Sequence, residues 1–187
     1  MVHPSVIGLI SHAPRSGKST VANVLASAHG GMHRIIPFSA PLKRAAESIL
    51  LSLGLSPQTA KDHLYFDKES EIPRLGCSGR YLLQTLGTEW GRKMIHSDIW
   101  LNCWQHEVDS SLLEGTPVVT DDVRFRNEGD LIRLKFGGEL WLVRRPGVEN
   151  PYQHESEGAF AGEPDSFYDR VIENNGTITD LWNQLSA

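Results

Sequence analysis

The chain has 187 residues, 40% of them hydrophobic and 22% charged, which suits one soluble globular domain with a sizeable core. A formal net charge of −5 argues against a dedicated binder of nucleic-acid polymers, which would present a basic face, but leaves room for a small anion held by local arginines. No apolar run approaches the ~20 residues that span a bilayer, and Met1-Val2-His3-Pro4 does not open a secretion signal, so a cytoplasmic protein with no membrane partner is expected.

Ser5 to Ser11 reads as a buried parallel strand, because Val6-Ile7-Gly8-Leu9-Ile10 is apolar throughout instead of alternating. The next segment, His12-Ala13-Pro14-Arg15-Ser16-Gly17-Lys18-Ser19-Thr20, nearly matches G-x-x-x-x-G-K-[ST]. That loop wraps the phosphates of a nucleotide between a strand and a helix. Its backbone N–H groups line an anion site, and the following helix directs its positive end there. Lys18 would reach the β- and γ-phosphates, and the Ser19 hydroxyl would bind Mg²⁺. His12 stands where the first glycine belongs. It must therefore adopt a backbone shape that glycine normally supplies, at about 1–3 kcal/mol, or the loop takes another path.

A helix from near Gly17 should bury Val21, Val24 and Leu25, with Gly30-Gly31 ending the unit. His33 to Phe38 looks like a short second strand, and Pro41 suits the first turn of a helix through about Leu51. Pro57 opens a short helical piece. Tyr65 to Ser78 is polar and irregular, with Asp67-Lys68-Glu69 read as a solvated charge run. Gly79 to Met94 is helical with Leu82, Leu83 and Leu86 inward, and a helix from about Ser97 sets Ile99, Trp100, Cys103 and Trp104 on its apolar side. Trp90, Trp100 and Trp104 read as core residues. Cys77 and Cys103 make neither a metal-ligand spacing nor a disulfide framework, which fits reduced thiols.

Pro117 to Thr120 is a strand ending in Asp121-Asp122, as strands do that deliver acids to a metal site. A helix over Asn127 to Phe136 is stopped by Gly137-Gly138, and Glu139 to Val143 is another strand. Arg144 to Ser166 lacks periodicity and reads as a long functional loop or lid. Within it, His154-Glu155-Ser156-Glu157 has no second histidine at ligand spacing and points to a substrate-facing element, not to zinc. Asp169 to Ile172 is the last strand, and Asn174-Asn175-Gly176 turns into a helix capped by Thr177 or Thr179. Strands alternating with helices imply an α/β fold: a parallel sheet covered on both faces, with sites at the carboxyl ends of its strands. The expectation is one domain over 1–187, with a mostly helical region at about 56–113 and a lid at about 144–166.

Several segments together resemble a known family. They are the loop around Gly17-Lys18-Ser19, then Phe38-Ser39-Ala40-Pro41-Leu42-Lys43, then Leu82-Leu83-Gln84-Thr85-Leu86-Gly87-Thr88-Glu89-Trp90-Gly91-Arg92 and Asp98-Ile99-Trp100. Asp122-Val123-Arg124-Phe125 with Asn127-Glu128, Arg145-Pro146-Gly147, His154 to Glu157 and Asn174 to Thr177 continue the match over nearly the whole chain. The chain resembles the deoxynucleoside monophosphate kinases of tailed bacteriophages, relatives of the nucleoside monophosphate kinases within the P-loop fold. Two departures stand out: His12 replaces a usual glycine, and Ala40 replaces a usual acid.

The resemblance implies transfer of the γ-phosphoryl group of ATP to a deoxynucleoside monophosphate, with Mg²⁺, in a host cytoplasm if the protein is phage-encoded, and it is compatible with a homodimer. Such chemistry depends on cations and positioning more than on a strong base. Ala13, Pro14, Arg15, Ser16, Gly17, Lys18, Ser19 and Thr20 would hold ATP, with Arg15 reaching the transferring phosphoryl. Asp122 matches the family's acid and would join Ser19 at Mg²⁺. Asp121 would alternate to the opposite side of a continuing strand; one of the two acids is functional and the other a capping or surface group, with Asp122 favoured. Arg124, two residues after Asp122, is assigned to phosphate, and Arg144 and Arg145 to lid arginines that close on ATP.

By the same resemblance Arg80 faces the monophosphate, where a bidentate guanidinium suits a phosphate. Gln84 lies one turn on, with an amide that both donates and accepts as base recognition needs. Thr88 continues that face, Trp90 lies near the base, and Lys43 and Glu155 complete the substrate-binding set. Arg92, three turns from Arg80, reads as a structural ion-pair partner. Two other readings stay open: a different P-loop small-molecule kinase, or a non-catalytic nucleotide-binding module.

Overall fold

A computed structural model describes residues 4–27, 33–147, 160 and 162–186. In chain order the elements are β1 (Val6–Ile10), α1 (Lys18–Ser27), β2 (Arg34–Ile35), α2 (Ala40–Ser52), α3 (Pro57–Lys61), β3 (Glu71–Ile72), β4 (Cys77–Ser78) and α4 (Gly79–Gln84). They continue with α5 (Ile99–Leu113), β5 (Val118–Thr120), α6 (Arg126–Asp130), β6 (Glu139–Arg144), β7 (Arg170–Glu173) and α7 (Ile178–Ser186). Wide π-type turns extend α3 over Asp62–Phe66, α4 over Thr85–Ile95 and α6 over Leu131–Lys135.

The chain divides into two compact units, Met1–Phe38 with Glu107–Ala187, and Ser39–His106. The first is built on a five-stranded sheet of order β2-β5-β1-β6-β7, in which every described pairing is parallel. The apolar run of β1 is explained by its central place, since it pairs with β5 on one side and β6 on the other. On one face Ile7, Leu9, Val119, Trp141, Val143 and Ile172 pack with Val21, Val24 and Leu25 of α1 and Leu181 and Leu185 of α7. On the other, Ile10, Leu140 and Leu142 are buried, and Ile132 from the α6 extension lies over Gly8. The sheet is thus an α/β layer structure with helices on both faces. The expected strands and the apolar face of the first helix are present, with the second strand reduced to two residues.

In the second unit, Ala46 and Leu50 of α2 pack with Ala60, Leu64 and Ile72, all fully buried. Leu82, Leu83 and Leu86 lean on this core and remain half-buried. The helical region expected from about 56 therefore shares a core with α2. Serines start the helices here: Ser56 accepts from Thr59 N at 3.1 Å, with Pro57 in the first turn, and Ser78 accepts from Tyr81 N at 3.2 Å. The stretch expected to be irregular holds a small antiparallel pair, β3 with β4, through which Ile72 enters the core.

Two expectations of burial are corrected. Cys103 is exposed, because α5 buries the positions of Trp100, Trp104 and Val108 four residues apart and Cys103 falls off that stripe. Trp90 is 43% exposed, so it is no core residue. The core role near it belongs to Trp100, whose indole Nε1 donates to Gly87 O at 2.9 Å. Trp100 packs so closely on Gly91 that a Cβ there would come within 2.7 Å of the indole nitrogen. The two glycines of the Leu86–Arg92 motif are thus the surface on which the Asp98-Ile99-Trp100 motif docks.

Candidate active site

The carboxyl ends of β1, β5, β6 and β7 emerge at one edge of the parallel sheet, so the loops that follow them belong to one edge of the first unit. The loop after β1 is Ser11 to Gly17. Its conformational stress lies at Arg15 (φ 58°) and Gly17 (φ 97°), and His12 is outside the left-handed region. The strain expected at His12 is therefore not there: the loop takes a path in which Arg15 turns.

His12 instead acts through its side chain. Its Nε2 is 2.8 Å from Tyr168 Oη, and Tyr168 donates to Phe160 O at 3.3 Å. Burial, and then the charge of Arg144, hold the imidazole below its ordinary 6.5, with Asp165 opposing. Tyr168 is pushed up to about 12, chiefly by burial.

Lys18 Nζ donates to Ser11 Oγ at 2.5 Å, and Ser11 passes a hydrogen bond to Ala13 O at 3.0 Å. Lys18, Ala13 and Pro14 line a depression together with Arg124 and Phe160. Ser16 is buried, and its hydroxyl finds no hydrogen-bond partner among the described residues. Arg15, Ser19 and Thr20 are exposed.

The two acids after β5 make different contacts. Ser19 Oγ donates to Asp121 Oδ2 at 2.5 Å. Asp122 Oδ1 accepts from Phe38 N at 2.6 Å and from Thr120 Oγ1 at 3.2 Å, tying the chain after β2 to the end of β5. Strand alternation does not carry past Thr120, because β5 ends there and the chain turns. Ser19, in the first turn of α1, and Asp121 thus form a hydroxyl–carboxylate pair. Both are hard oxygen donors of the kind Mg²⁺ takes, so this pair fits the ion.

Arg124 is exposed, and its backbone N–H donates to Glu128 Oε2 at 2.7 Å, with Phe125 N doing the same at 3.0 Å. The carboxylate of Glu128 thereby caps α6 and fixes the segment that carries Arg124. Arg144 is engaged: it pairs with Glu173 at 3.1 Å and with Asp165. Arg145 is exposed. Glu155, with the rest of His154 to Glu157 and most of the expected lid, lies outside the described residues.

The second unit carries the remaining candidates. Arg80, Gln84 and Thr88 are all exposed, as a ligand face requires. Arg80 and Gln84 share a face of α4, but the wide turns that begin at Thr85 rotate Thr88 away from strict helical alignment with them. Arg80 pairs with Glu69, and its backbone N–H donates to Lys68 O at 2.8 Å, so the charge run expected to be solvated helps to hold Arg80. Lys43 Nζ lies 4.4 Å from the centre of the Tyr65 ring.

Three participants escaped the sequence reading. Asp121 was set aside by strand alternation. Ser11 and Tyr168 carry no motif, and only the fold brings Tyr168 to His12 across 156 residues.

Comparisons with known proteins place the chain in a family. A family model described as deoxynucleotide monophosphate kinase matches residues 74–185. A protein of Acanthamoeba polyphaga mimivirus, carrying a provisional deoxynucleotide monophosphate kinase name, is 30% identical over 193 residues, covering 96% of this chain and 93% of its own. The deoxynucleoside-5′-monophosphate kinase of Escherichia phage T5 is 41% identical over 69 residues, which are 36% of this chain and 26% of that protein.

Proposed function

Because the chain belongs to the deoxynucleotide monophosphate kinase family, we propose that it transfers the γ-phosphoryl group of ATP to a deoxynucleoside monophosphate. In this step the bond from the γ-phosphorus to the β–γ bridging oxygen breaks, and a bond to a 5′-phosphate oxygen of the acceptor forms. The products are ADP and a deoxynucleoside diphosphate. The attacking phosphate oxygen is already deprotonated near neutral pH, so no strong base is required. Placement and charge neutralisation carry the reaction.

The observation that carries this reading is the set of groups at the loop after β1: Lys18 and Arg124 line one depression, and Ser19 meets Asp121 at 2.5 Å. Lys18 exchanges its bond to Ser11 for the β- and γ-phosphates. Arg124, held by the Glu128 cap, meets the transferring group. Ser19 and Asp121 would hold Mg²⁺, which supplies charge neutralisation on the phosphoryl oxygens. In the second unit Arg80 grips the acceptor phosphate and Gln84 the base. The Glu69 partner of Arg80 is no obstacle, because both side chains are more than half exposed and such pairs contribute little.

The test is an ATP-dependent phosphorylation assay across the four deoxynucleoside monophosphates, with Lys18→Ala beside the wild type. Product with at least one acceptor is expected, and Lys18→Ala should lower turnover by about 100-fold or more. ATP binding without product from any of the four would sink the kinase reading in favour of a nucleotide-binding module.

A further inference from the structure

We propose that Asn174 is a positioning residue that sets the phosphate loop for its triphosphate donor. This rests on the donor reading of that loop. Asn174 follows β7, and its side-chain amide Nδ2 donates to Ser16 O at 2.8 Å. The same amide fills the space over Gly17, where any Cβ would collide with it, and Gly17 has a φ of 97° that L side chains rarely adopt. The Gly of Gly-Lys-Ser is therefore matched to Asn174 as well as to a ligand.

A trans peptide holds its C=O and N–H on opposite sides. Once the Ser16 carbonyl is bound to Asn174, the N–H of Gly17 points away from Asn174, toward the side where phosphates would lie. Without that bond the Ser16–Gly17 peptide can flip and present a carbonyl oxygen, which repels phosphate. The bond thus selects the peptide orientation that an anion needs, before any nucleotide arrives.

Asn174 is itself fixed. Its backbone N–H donates to Arg144 O at 2.7 Å, at the end of β6. The preceding Glu173 is clamped by Gln184 of α7, whose amide accepts from Glu173 N at 3.2 Å and donates to Glu173 O at 3.0 Å. Arg144 closes the arrangement by pairing with Glu173 at 3.1 Å. The Asn174-Asn175-Gly176-Thr177 segment, read from the sequence as a turn into the last helix, thereby gains a second role through its first residue.

The experiment measures Mg·ATP affinity by calorimetry, and kcat and KM for both substrates, in wild type, Asn174→Asp and Asn174→Ala. The aspartate keeps the shape but loses the donor and places a negative charge beside the loop. It should weaken Mg·ATP binding by about tenfold or more, with alanine intermediate. The KM for the monophosphate should stay within about twofold of wild type. Asn174→Ala decides the case if Asn174→Asp is thermally unstable. Unchanged Mg·ATP affinity in the variants, or equal losses for both substrates, overturns the role of Asn174. Failure of the wild type to bind Mg·ATP overturns the donor reading itself, and is told apart because it precedes any substitution.

Discussion

Asp121 and Asp122 are adjacent carboxylates with opposite fates, and their hydrogen bonds say why. A carboxylate that accepts from a backbone N–H at 2.6 Å, as Asp122 does from Phe38, stabilises the chain path. One that accepts from an exposed hydroxyl, as Asp121 does from Ser19, is the carboxylate that the proposed function gives to Mg²⁺. Asp121→Ala should raise the Mg²⁺ concentration needed for half-maximal activity and lower turnover on the order of 100-fold, at little cost in stability. Asp122→Ala should cost about 1–3 kcal/mol of unfolding free energy, because Phe38 N loses its acceptor. Mg²⁺ titration of activity and urea unfolding separate the two. The reverse pattern would return the metal role to Asp122. The sequence placed an acid pair at the end of β5 correctly, yet the choice between its members depends on where extended geometry stops.

At the scale of elements, glycine and tryptophan decide how the second unit is assembled. The apolar stripe of α4 and Pro57 at the start of α3 follow from the sequence, so these helices were legible. Their wide π-type turns were not, because no local signal distinguishes them from ordinary helix. Nor was the start of α4 as a packing site: a Cβ on Gly79 would run into the backbone carbonyl of His63, which cannot rotate aside. Gly79→Ala should therefore destabilise the protein by roughly 1–3 kcal/mol. A shifted urea midpoint is the readout, and an unchanged midpoint would show that α3 yields to the methyl group.

Across the whole molecule, the contact of His12 with Tyr168 joins the first loop of the sheet to the segment before its last strand, and the burial of these two groups makes stability depend on pH. The folded imidazole titrates below 6.5, so between 6.5 and its folded value the unfolded chain binds more protons. Its contribution is present above pH 6.5 and is lost as pH falls through the folded value. Tyr168 is raised from 10 to about 12, so its contribution is present below pH 10 and is lost as pH climbs toward 12. Thermal midpoints measured over pH should show the acid limb flattened in His12→Gln and the alkaline limb flattened in Tyr168→Phe. Slopes equal to wild type in both variants would remove this contact from the account.

The sequence by itself determined the alternating α/β order, the buried first strand, the Gly-Lys-Ser loop that follows it, and the family, because these depend on periodicity and on contiguous residues. Among the described residues, no helix is long and apolar enough to cross a membrane. Only the tertiary structure decided that Asp121 meets Ser19, that His12 leans on Tyr168 without backbone strain, that Trp100 docks on Gly87 and Gly91, and that Asn174 holds Ser16. Each of these joins residues far apart in the chain, or turns on the direction of a side chain beyond the end of a strand. Sequence spacing carries no information on either, since parallel crossovers set which loops become neighbours.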